Sequence, residues 1–459
     1  MDSCFTESFK ELEDHRRINR GNFRHSLQEI IFLTISAVLC GFQTYELIEY
    51  FGKKELDWLK KFFPYKYGIP SNDTLGEFFK NINRKNFSKC LVSFLQNLKK
   101  FDSELISLDG KTIKGSSDED GHPLHILTAF CQKNKMSLGE ELVCKKKENE
   151  IVAIPKLLSI LEIKGCVISI DAMGCQKDIV DRIVEEKADY VIQVKDNQGE
   201  LHQNLKDTFK LEKIDTVFST EEIGHGRIEN RKYSIISDLS HVSDREKWQT
   251  VKSLIRVDTI VCEKKTGKET KSERYYISSL KEDIEKIAEY IRGHWEIESM
   301  HWSLDVIFRE DNQAKRDNNA IANFNTICKF AISLLNDEQT YKGSKTKKRA
   351  EALYEPEYRE KLLKNLEGKS DRSAYFKTVI VFVDENGKEF IAKGILKGTI
   401  SEVERGENGF GYDKIFIPEN MEKTLAEISS EEKNKFSHRK RALEDLKNIL
   451  GDRYDSSGC

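Results

Sequence analysis

The sequence predicts an α/β protein with a helical region before its core and a partial α/β segment after it. Three patterns support this class. Apolar residues recur at three and four residues up to about residue 97, as in amphipathic helices. From residue 104, short apolar runs that end at polar residues alternate with helical spacing, which indicates layers of strands and helices. After about residue 375, β-type patterning returns.

Length and composition limit the possible classes of protein. A chain of 459 residues exceeds one ordinary core, so two to four domains are expected. Charged residues make up 33% of the chain, yet the net charge is only -3, and this balance alone does not indicate a nucleic-acid binder. None of the ten cysteines forms a Cys-x-x-Cys pair, which disfavours zinc ribbons and dithiol redox sites.

The chain is expected to be cytoplasmic and to have no membrane segment. Its N-terminus, from Met1 to Arg17, is charged throughout, unlike a signal peptide. The longest apolar run, from Ile30 to Cys40, is about half the length of a bilayer span, so we expect a buried helix there. Irregularly spaced cysteines in a chain of this size are typical of a reducing compartment.

The helical region is expected to span residues 1–97. Its apolar positions follow helical spacing in two stretches, from Leu27 to Val38 and from Leu75 to Ile82. Between them, the polar segment from Gly68 to Asp73 supplies side chains that can cap the second helix.

The predicted core starts with three short strands. Leu105 to Leu108 is followed by Asp109, Cys166 to Ile170 by Asp171, and Tyr190 to Val194 by Lys195. Helical spacing from Ile179 to Glu186 separates the second strand from the third. Buried strands that alternate with helices are typical of an α/β sheet.

The rest of the core combines an insertion with a long helical stretch. Residues 212–280 are expected to insert antiparallel strands, among them Arg231 to Ile236 and Glu273 to Ile277. Helical spacing then extends from Asp283 to about Leu335, followed by a basic linker from Lys342 to Arg349. The run from Thr378 to Val383 predicts a later strand, ended by an Asp-Glu-Asn-Gly turn at 384–387.

Asp109 and Asp171 are candidate catalytic acids. Each is expected directly after a buried strand, at the carboxyl edge where α/β sheets present functional groups. Phosphodiester chemistry with two metal ions needs acidic ligands close together, and magnesium prefers carboxylate oxygens. The alternative is that each Asp is only a turn residue or a helix cap.

A third candidate acid lies on a helix predicted from Ile291 to Asp311. At about 100° per residue, one narrow stripe of this helix contains His294, Glu298, His301 and Asp305, with apolar residues on both sides. The opposite face, with Arg292, Glu296, Ser303 and Glu310, is expected to meet solvent. Ionisable groups between apolar flanks suggest a partly buried site. The alternatives are a His/Glu network within the core and a mononuclear zinc site at His294, Glu298 and His301.

These motifs resemble the H-repeat-associated group of insertion-sequence transposases. The similarity runs from about residue 5 to 363, with its motifs in order. The matching segments are Ile106 to Thr112, Asp171 to Gln176, Ala188 to Gln198, His225 to Arg231 and His294 to Val306, together with Glu13 to Arg17, His25, Pro70 to Thr74, Ser344 to Arg349 and Tyr358 to Glu360. Many related enzymes place an Arg four residues before the catalytic Glu and a Lys seven after it, where this chain has His294 and Asp305.

The resemblance implies an RNase H-like core with a DDE triad formed by Asp109, Asp171 and Glu298. It implies Mg²⁺ or Mn²⁺ as cofactor, transposon ends and target DNA as partners, and a homodimer on DNA. We expect the three carboxylates to converge at one metal site. Basic residues in the same motifs are candidate phosphate contacts: Lys111, Lys195, Arg227, Arg231 and Arg309.

The expected division is a helical transposase-associated domain at 1–97, a catalytic domain at 98–341, and a basic linker with a terminal helix at 342–363. The remainder, 364–459, resembles the C-terminal half of inosine/xanthosine triphosphate pyrophosphatases over about residues 364–450. The matching segments are Asp371 to Phe376, Gly406 to Asp413 and Glu432 to Arg439.

The second resemblance implies a purine site without its hydrolytic half. Phe410 would stack on the base, Asp413 would read its edge, and Lys433, His438 and Arg439 would address base and phosphates. The family's opening phosphate loop and its mid-chain acidic segment have no suitable counterpart in this sequence. We therefore expect an inactive remnant.

Three functions follow from the sequence. The leading one is a DNA transposase. The first alternative is a dITP/XTP pyrophosphatase carried by the C-terminal segment, and the second is a decayed transposase that binds DNA without cleaving it.

Overall fold

In the computed structural model, the described residues are 2–16, 23–98, 104–116, 122–143, 150–224, 226–240, 242–243, 245–281, 283–312, 317–353, 356–384, 387–409 and 411–451. They divide into two compact units, residues 1–340 and 341–459. Within the described residues, no helix combines the length and the apolar character that a membrane crossing requires.

The first unit begins with the predicted helices. They are α1 (Asp2–Ser8), α2 (Leu27–Leu39), α3 (Tyr45–Lys54), α4 (Leu56–Leu59), α5 (Asn72–Asn81) and α6 (Arg84–Leu98). Ser26 and Glu29 form a capping box that starts α2. Ser71 caps α5 by accepting the N–H of Thr74, as the polar segment predicted. The apolar run from Ile30 is the buried part of α2.

The first unit also contains one nine-stranded sheet, ordered β3-β2-β1-β4-β5-β9-β8-β7-β6. Its strands are β1 (Leu105–Ile113), β2 (Leu124–Cys131), β3 (Met136–Val143), β4 (Val167–Ile170), β5 (Asp189–Val194), β6 (Thr216–Gly224), β7 (Arg227–Ile236), β8 (Ser253–Glu263) and β9 (Glu269–Ser278). Among the described strands, only β1, β4 and β5 pair in parallel. The antiparallel strands β6 to β9 extend the same sheet through β9 and β5.

One expected strand end was wrong, because β1 does not stop before Asp109. The strand continues to Ile113 in antiparallel pairing with β2, where Asp109 lies opposite Thr128. Its parallel pairing with β4 does end at Leu108 and Ile170. Asp109 and Asp171 are therefore neighbours at the point where the two strands separate.

The remaining helices of this unit are α7 (Glu150–Leu158), α8 (Lys177–Glu185), α9 (Gly199–Leu211), α10 (Ile284–Gly293), α11 (Trp295–Val306) and α12 (Asn318–Asp337).

The expected continuous helix from Ile291 to Asp311 was wrong. It divides at His294, which ends α10 and precedes α11, and α11 stops at Val306. A short 3₁₀ turn follows at Glu310–Asn312.

Helix α12 joins the helical part of this unit to its sheet. It is buried along most of its length and packs on α5, α6 and β3. Lys329, only 2% exposed, donates to the Thr128 hydroxyl at 2.8 Å and pairs with Glu140 at 3.3 Å. Asn323 donates to the carbonyl of Phe79. Lys329 and the Asn323 amide nitrogen therefore have partners inside this junction.

The second unit contains α13 (Lys345–Leu353), α14 (Pro356–Asn365), β10 (Ser373–Val383), β11 (Glu389–Ile400), β12 (Phe416–Pro418), α15 (Ser430–Phe436) and α16 (His438–Leu450). The three strands form one antiparallel sheet, β10-β11-β12. The expected linker at Lys342–Arg349 is therefore mostly helical, since α13 begins at Lys345. Residues 385 and 386 of the predicted turn and Phe410 lie outside the described residues.

Candidate active site

One cavity of about 200 Å³ in the first unit is lined by Asp109, Asp171 and Glu298. Asp109 lies in β1, Asp171 directly follows β4, and Glu298 lies in the first turn of α11. Strand register brings the two Asp residues together, and the division of the helix at His294 directs α11 to the same place. The structure thus brings together the three acids that the sequence singled out.

The acids carry more negative charge than their surroundings offset. Burial raises the pKa of Asp171, and the charges of Asp109 and Glu150 raise it further against the opposing N–H of Met173. Partial burial and the charge of Asp109 raise the pKa of Glu298. These shifts have one physical cause, which is that several carboxylates share a poorly solvated space.

Hydrogen bonds from nearby backbone N–H groups orient Asp109 and Asp171. Asp109 Oδ1 accepts the N–H of Gly110 at 2.9 Å, and Asp171 Oδ1 accepts the N–H of Met173 at 3.0 Å. In each case one carboxylate oxygen is held by the backbone of a following residue. Both acids therefore have a defined orientation before any ligand binds.

Two histidines of the predicted polar stripe contact this site. His294 Nδ1 lies 2.9 Å from the Ser169 hydroxyl, which donates to Ser107 at 2.9 Å. Burial lowers the pKa of His294, although the charges of Asp109 and Asp171 oppose the shift. His301 Nδ1 lies 3.3 Å from Asp109 Oδ2.

The rest of the stripe departs from the expectation. Asp305 pairs with Lys111 at 2.6 Å. The apolar flank with Trp302 and Val306, 58% and 53% exposed, is not buried. On the face expected to meet solvent, Ser303 and Glu310 are buried, because Glu310 pairs with Lys111 at 3.0 Å and Ser303 donates to the carbonyl of Ser299.

The five candidate phosphate contacts differ in access. Lys111 is only 9% exposed and is enclosed by Asp305, Glu310 and Asp311, so in this structure it pairs with acids and is not open to a DNA phosphate. Arg231 has a side chain only 14% exposed, paired with Glu222 and Glu229.

The other three candidate contacts are open to solvent. Lys195 is exposed and lines the acidic cavity. Arg227 has a side chain 52% exposed, 3.8 Å from Glu229. Arg309 is exposed, at a positive φ of 46°.

Three further residues at the site were missed by the sequence reasoning. Arg274 lines the cavity, lies over the Trp295 ring at 4.8 Å, and opposes the raised pKa of Glu298. His125 Nε2 lies 2.6 Å from Glu150 Oε1. Both side chains pack so closely on Gly110 that an added Cβ would lie 2.2 Å from Glu150 and 2.5 Å from His125.

The carboxylates fit a divalent cation in their chemistry, and all three line one cavity. Carboxylate oxygens are the ligands that Mg²⁺ and Mn²⁺ prefer, and a cation among the three would relieve the repulsion that contributes to the raised pKa values of Asp171 and Glu298. Within the described ranges, however, no three His, Cys, Asp or Glu side chains are already arranged to hold a metal. The acids share a cavity as expected, but they must move closer together to become ligands.

The second unit has a cavity of its own, of about 430 Å³. Four of the five residues assigned to a purine site line it: Asp413, Lys433, His438 and Arg439. Lys433 donates to Asp413, and His438 stacks on the Phe376 ring at 5.1 Å. Lys347 of α13 also lines this cavity.

Comparison with known proteins assigns the C-terminal part of the chain. The Ham1 family matches residues 295–449. The dITP/XTP pyrophosphatase of Thermoanaerobacter pseudethanolicus is 54% identical over 101 residues, which are 22% of this chain and 50% of that protein. The chain thus spans about half the length of this pyrophosphatase.

The larger part of the chain matches transposases. The DDE_Tnp_1-associated family matches residues 6–95, and the Transposase DDE domain family matches residues 100–334. A protein of Escherichia coli O157:H7 named as the transposase YncI is 39% identical over 75% of this chain and 90% of its own length. The H repeat-associated transposase YhhI of Escherichia coli K12 is 34% identical over 73% of this chain and 91% of its own length. The chain therefore belongs to the DDE transposases, as a transposase with H repeat-associated relatives and a C-terminal Ham1 segment.

Proposed function

We propose that Asp109, Asp171 and Glu298 form the catalytic triad of this transposase, cleaving DNA at the ends of an insertion sequence and joining the freed end to a target. The observation that carries the proposal is the cavity that all three acids line. The raised pKa values of Asp171 and Glu298 add support, because strongly perturbed acids cluster at functional sites.

DDE transposase domains depend on divalent metal, and we assign it to these carboxylates as two Mg²⁺ or Mn²⁺ ions. When bound, such ions activate the attacking oxygen and stabilise charge on the phosphate oxygens. The protein's own part is to orient Asp109 and Asp171 through Gly110 and Met173. Lys195 and Arg274 line the same cavity and would attract and position the backbone phosphate.

The strand order supports an RNase H-like core. β1, β4 and β5 run parallel at the centre, and the hairpin of β2 and β3 continues the sheet beyond β1. We propose residues 98–341 as this catalytic domain, with 1–97 as its helical companion, 342–363 as a connecting segment and 364–459 as the pyrophosphatase-like part.

We propose that Lys195, Arg227 and Arg309 contact DNA phosphates, because they are the accessible members of the predicted set. Arg231 could join them only by releasing Glu222 or Glu229. Because transposition brings two ends together, we propose a homodimer on DNA as the working assembly.

Glu298→Gln and Glu296→Gln are a matched pair that tests the triad. Both residues lie in the first turn of α11, but only Glu298 lines the acidic cavity, while Glu296 lies 3.9 Å from Lys135. Removing a metal-binding carboxylate should lower strand cleavage at least about a thousandfold, roughly 4 kcal/mol of barrier, whereas Glu296→Gln should retain activity.

The assay uses duplex DNA from either side of this gene, with magnesium or manganese, and scores nicked product. Equal activity of the two variants would remove Glu298 from the triad. Equal loss in both, with folding intact, would assign the effect to the helix and not to its carboxylate.

A second candidate function is purine nucleotide binding by the C-terminal segment. The supporting observation is that Asp413, Lys433, His438 and Arg439 line one cavity of about 430 Å³. Pyrophosphatase activity is a secondary alternative, because the segment corresponds to about half of the pyrophosphatase that it matches.

A further inference from the structure

One face of the second unit's sheet is apolar and uncovered. Alternation along β10 and β11 places every second side chain on this face. Its large apolar members are Tyr375, Val379, Val381, Val383, Ile391 and Ile395, between 39% and 65% exposed. We call this side of the sheet, with these six residues and the polar side chains among them, the open face. Folded monomers rarely expose so many adjoining apolar side chains without a binding role.

The other face of the same sheet is closely packed. Leu396 is 2% exposed, and Ala392 and Ala442 are fully buried. At Gly394 an added Cβ would lie only 2.0 Å from the carbonyl oxygen of His438, so α16 contacts the strand backbone directly. One face of the sheet is thus covered by α16, and the other face is exposed.

The edge of the sheet is also open. Among the described residues β10 pairs with β11 alone, so one side of this eleven-residue strand offers unpaired backbone groups. Long apolar edge strands are normally covered or blunted, because they otherwise recruit other chains. The open face and the outer edge of β10 therefore both indicate that another polypeptide binds here.

The charges on the open face disfavour a second copy as that polypeptide. Lys377 lies opposite Ile395, Lys393 opposite Val379, and Lys397 opposite Tyr375. These three lysines share the face with one acid, Glu389, which lies opposite Val383, so the face carries an excess of positive charge. Two copies packed through this face would bring these lysine sets together, which costs affinity through like-charge repulsion.

The pyrophosphatase relatives identify a better occupant. Two of them are 54% and 52% identical to this chain over 101 and 90 residues, yet those stretches are only 50% and 46% of their lengths. At such identity the packing surfaces of the shared half are retained, while the residues that complete the fold are replaced here by a transposase.

We propose that the open face and the β10 edge bind a separate polypeptide that carries the N-terminal half of the dITP/XTP pyrophosphatase fold. The apolar residues supply the buried contact, the free edge supplies backbone hydrogen bonds as in strand addition, and the lysines select acidic side chains on the partner.

The test co-expresses the full chain with the N-terminal half of the Thermoanaerobacter pseudethanolicus enzyme and measures complex formation by affinity capture and sedimentation. Val381→Asp introduces charge into the open face, opposite Ile391. Leu443→Asp on α16 is the matched control, because Leu443 is 57% exposed and Val381 is 54% exposed. Circular dichroism checks that both variants fold.

The expected result is a one-to-one complex that Val381→Asp weakens at least about tenfold, or 1.4 kcal/mol, and that Leu443→Asp leaves unchanged. No complex with the wild-type chain would overturn the proposal. So would equal weakening by both variants, or self-association of the chain that only Val381→Asp abolishes, since that would assign the face to a second copy.

Discussion

The two units of this chain differ in which side chains are in excess: carboxylates in the first unit and apolar side chains in the second. In residues 1–340, buried polar groups such as Lys329 and Lys111 are paired with acids, but Asp109, Asp171 and Glu298 share a cavity as an excess of negative charge. In residues 341–459, the excess is apolar surface on the open face.

The two kinds of group call for different partners. Partly buried carboxylates that share a small cavity are costly, and a cationic ligand would offset that cost. An excess of apolar surface on a sheet needs more polypeptide. The first unit therefore offers a site for a cationic ligand, while the second exposes an apolar sheet face that more polypeptide could cover.

Lys329→Met should have the largest effect on stability, because it breaks the buried ion pair that Lys329 of α12 forms with Glu140 of β3. The substitution leaves the buried Glu140 carboxylate, with a side chain 1% exposed, without its ion-pair partner. Removing one partner of a buried pair costs about 3–5 kcal/mol, measurable by urea unfolding. Lys329→Met combined with Glu140→Gln should recover much of the loss, because no unpaired charge remains. If Lys329→Met alone is neutral, the pair does not hold the junction.

Gly110→Ala should have an intermediate effect, because it moves Glu150 and His125 beside the acidic cavity. An added Cβ would lie 2.2 Å from Glu150 and 2.5 Å from His125. We expect a loss of about 1–3 kcal/mol, seen as a lower Tm, together with slower DNA cleavage. Gly199→Ala is the control, since nothing lies within 4 Å of its added Cβ. A Gly110→Ala protein as stable and active as the wild type would contradict this packing.

The smallest expected signal is nucleotide hydrolysis by the purified chain, because the second unit corresponds to only about half of the pyrophosphatase that it matches. Incubated with magnesium and inosine or xanthosine triphosphate, the purified chain should release pyrophosphate no faster than buffer does. Base recognition and hydrolysis are separable, and hydrolysis also needs a metal held against the triphosphate. Pyrophosphate release that disappears in Asp413→Ala would show a complete second active site.

The sequence predicted the local structure well where periodicity and capping decide it. Helix α2, the cap at Ser71 and strands β4, β5 and β10 all follow from short-range patterns. The three acids were also selected from sequence, and the structure places them at one cavity.

Long-range pairing explains what the sequence could not show. β1 continues past Asp109 because β2 pairs with it. Lys111 is enclosed because the turn after α11 brings Glu310 and Asp311 to it. Arg274 reaches the acids because β9 adds to β5, far from it in sequence. None of these contacts leaves a signal in local spacing.

The most direct test of the central claim is Asp109→Asn, measured for DNA cleavage and DNA binding in one preparation. In the proposed mechanism the acids act in cleavage, whereas DNA binding depends mainly on phosphate contacts, whose affinity falls steeply with salt. We predict that Asp109→Asn abolishes metal-dependent cleavage while its affinity for transposon-end DNA stays within about twofold of the wild type at each salt concentration. Equal loss of cleavage and binding in a folded variant would make Asp109 structural and contradict the account.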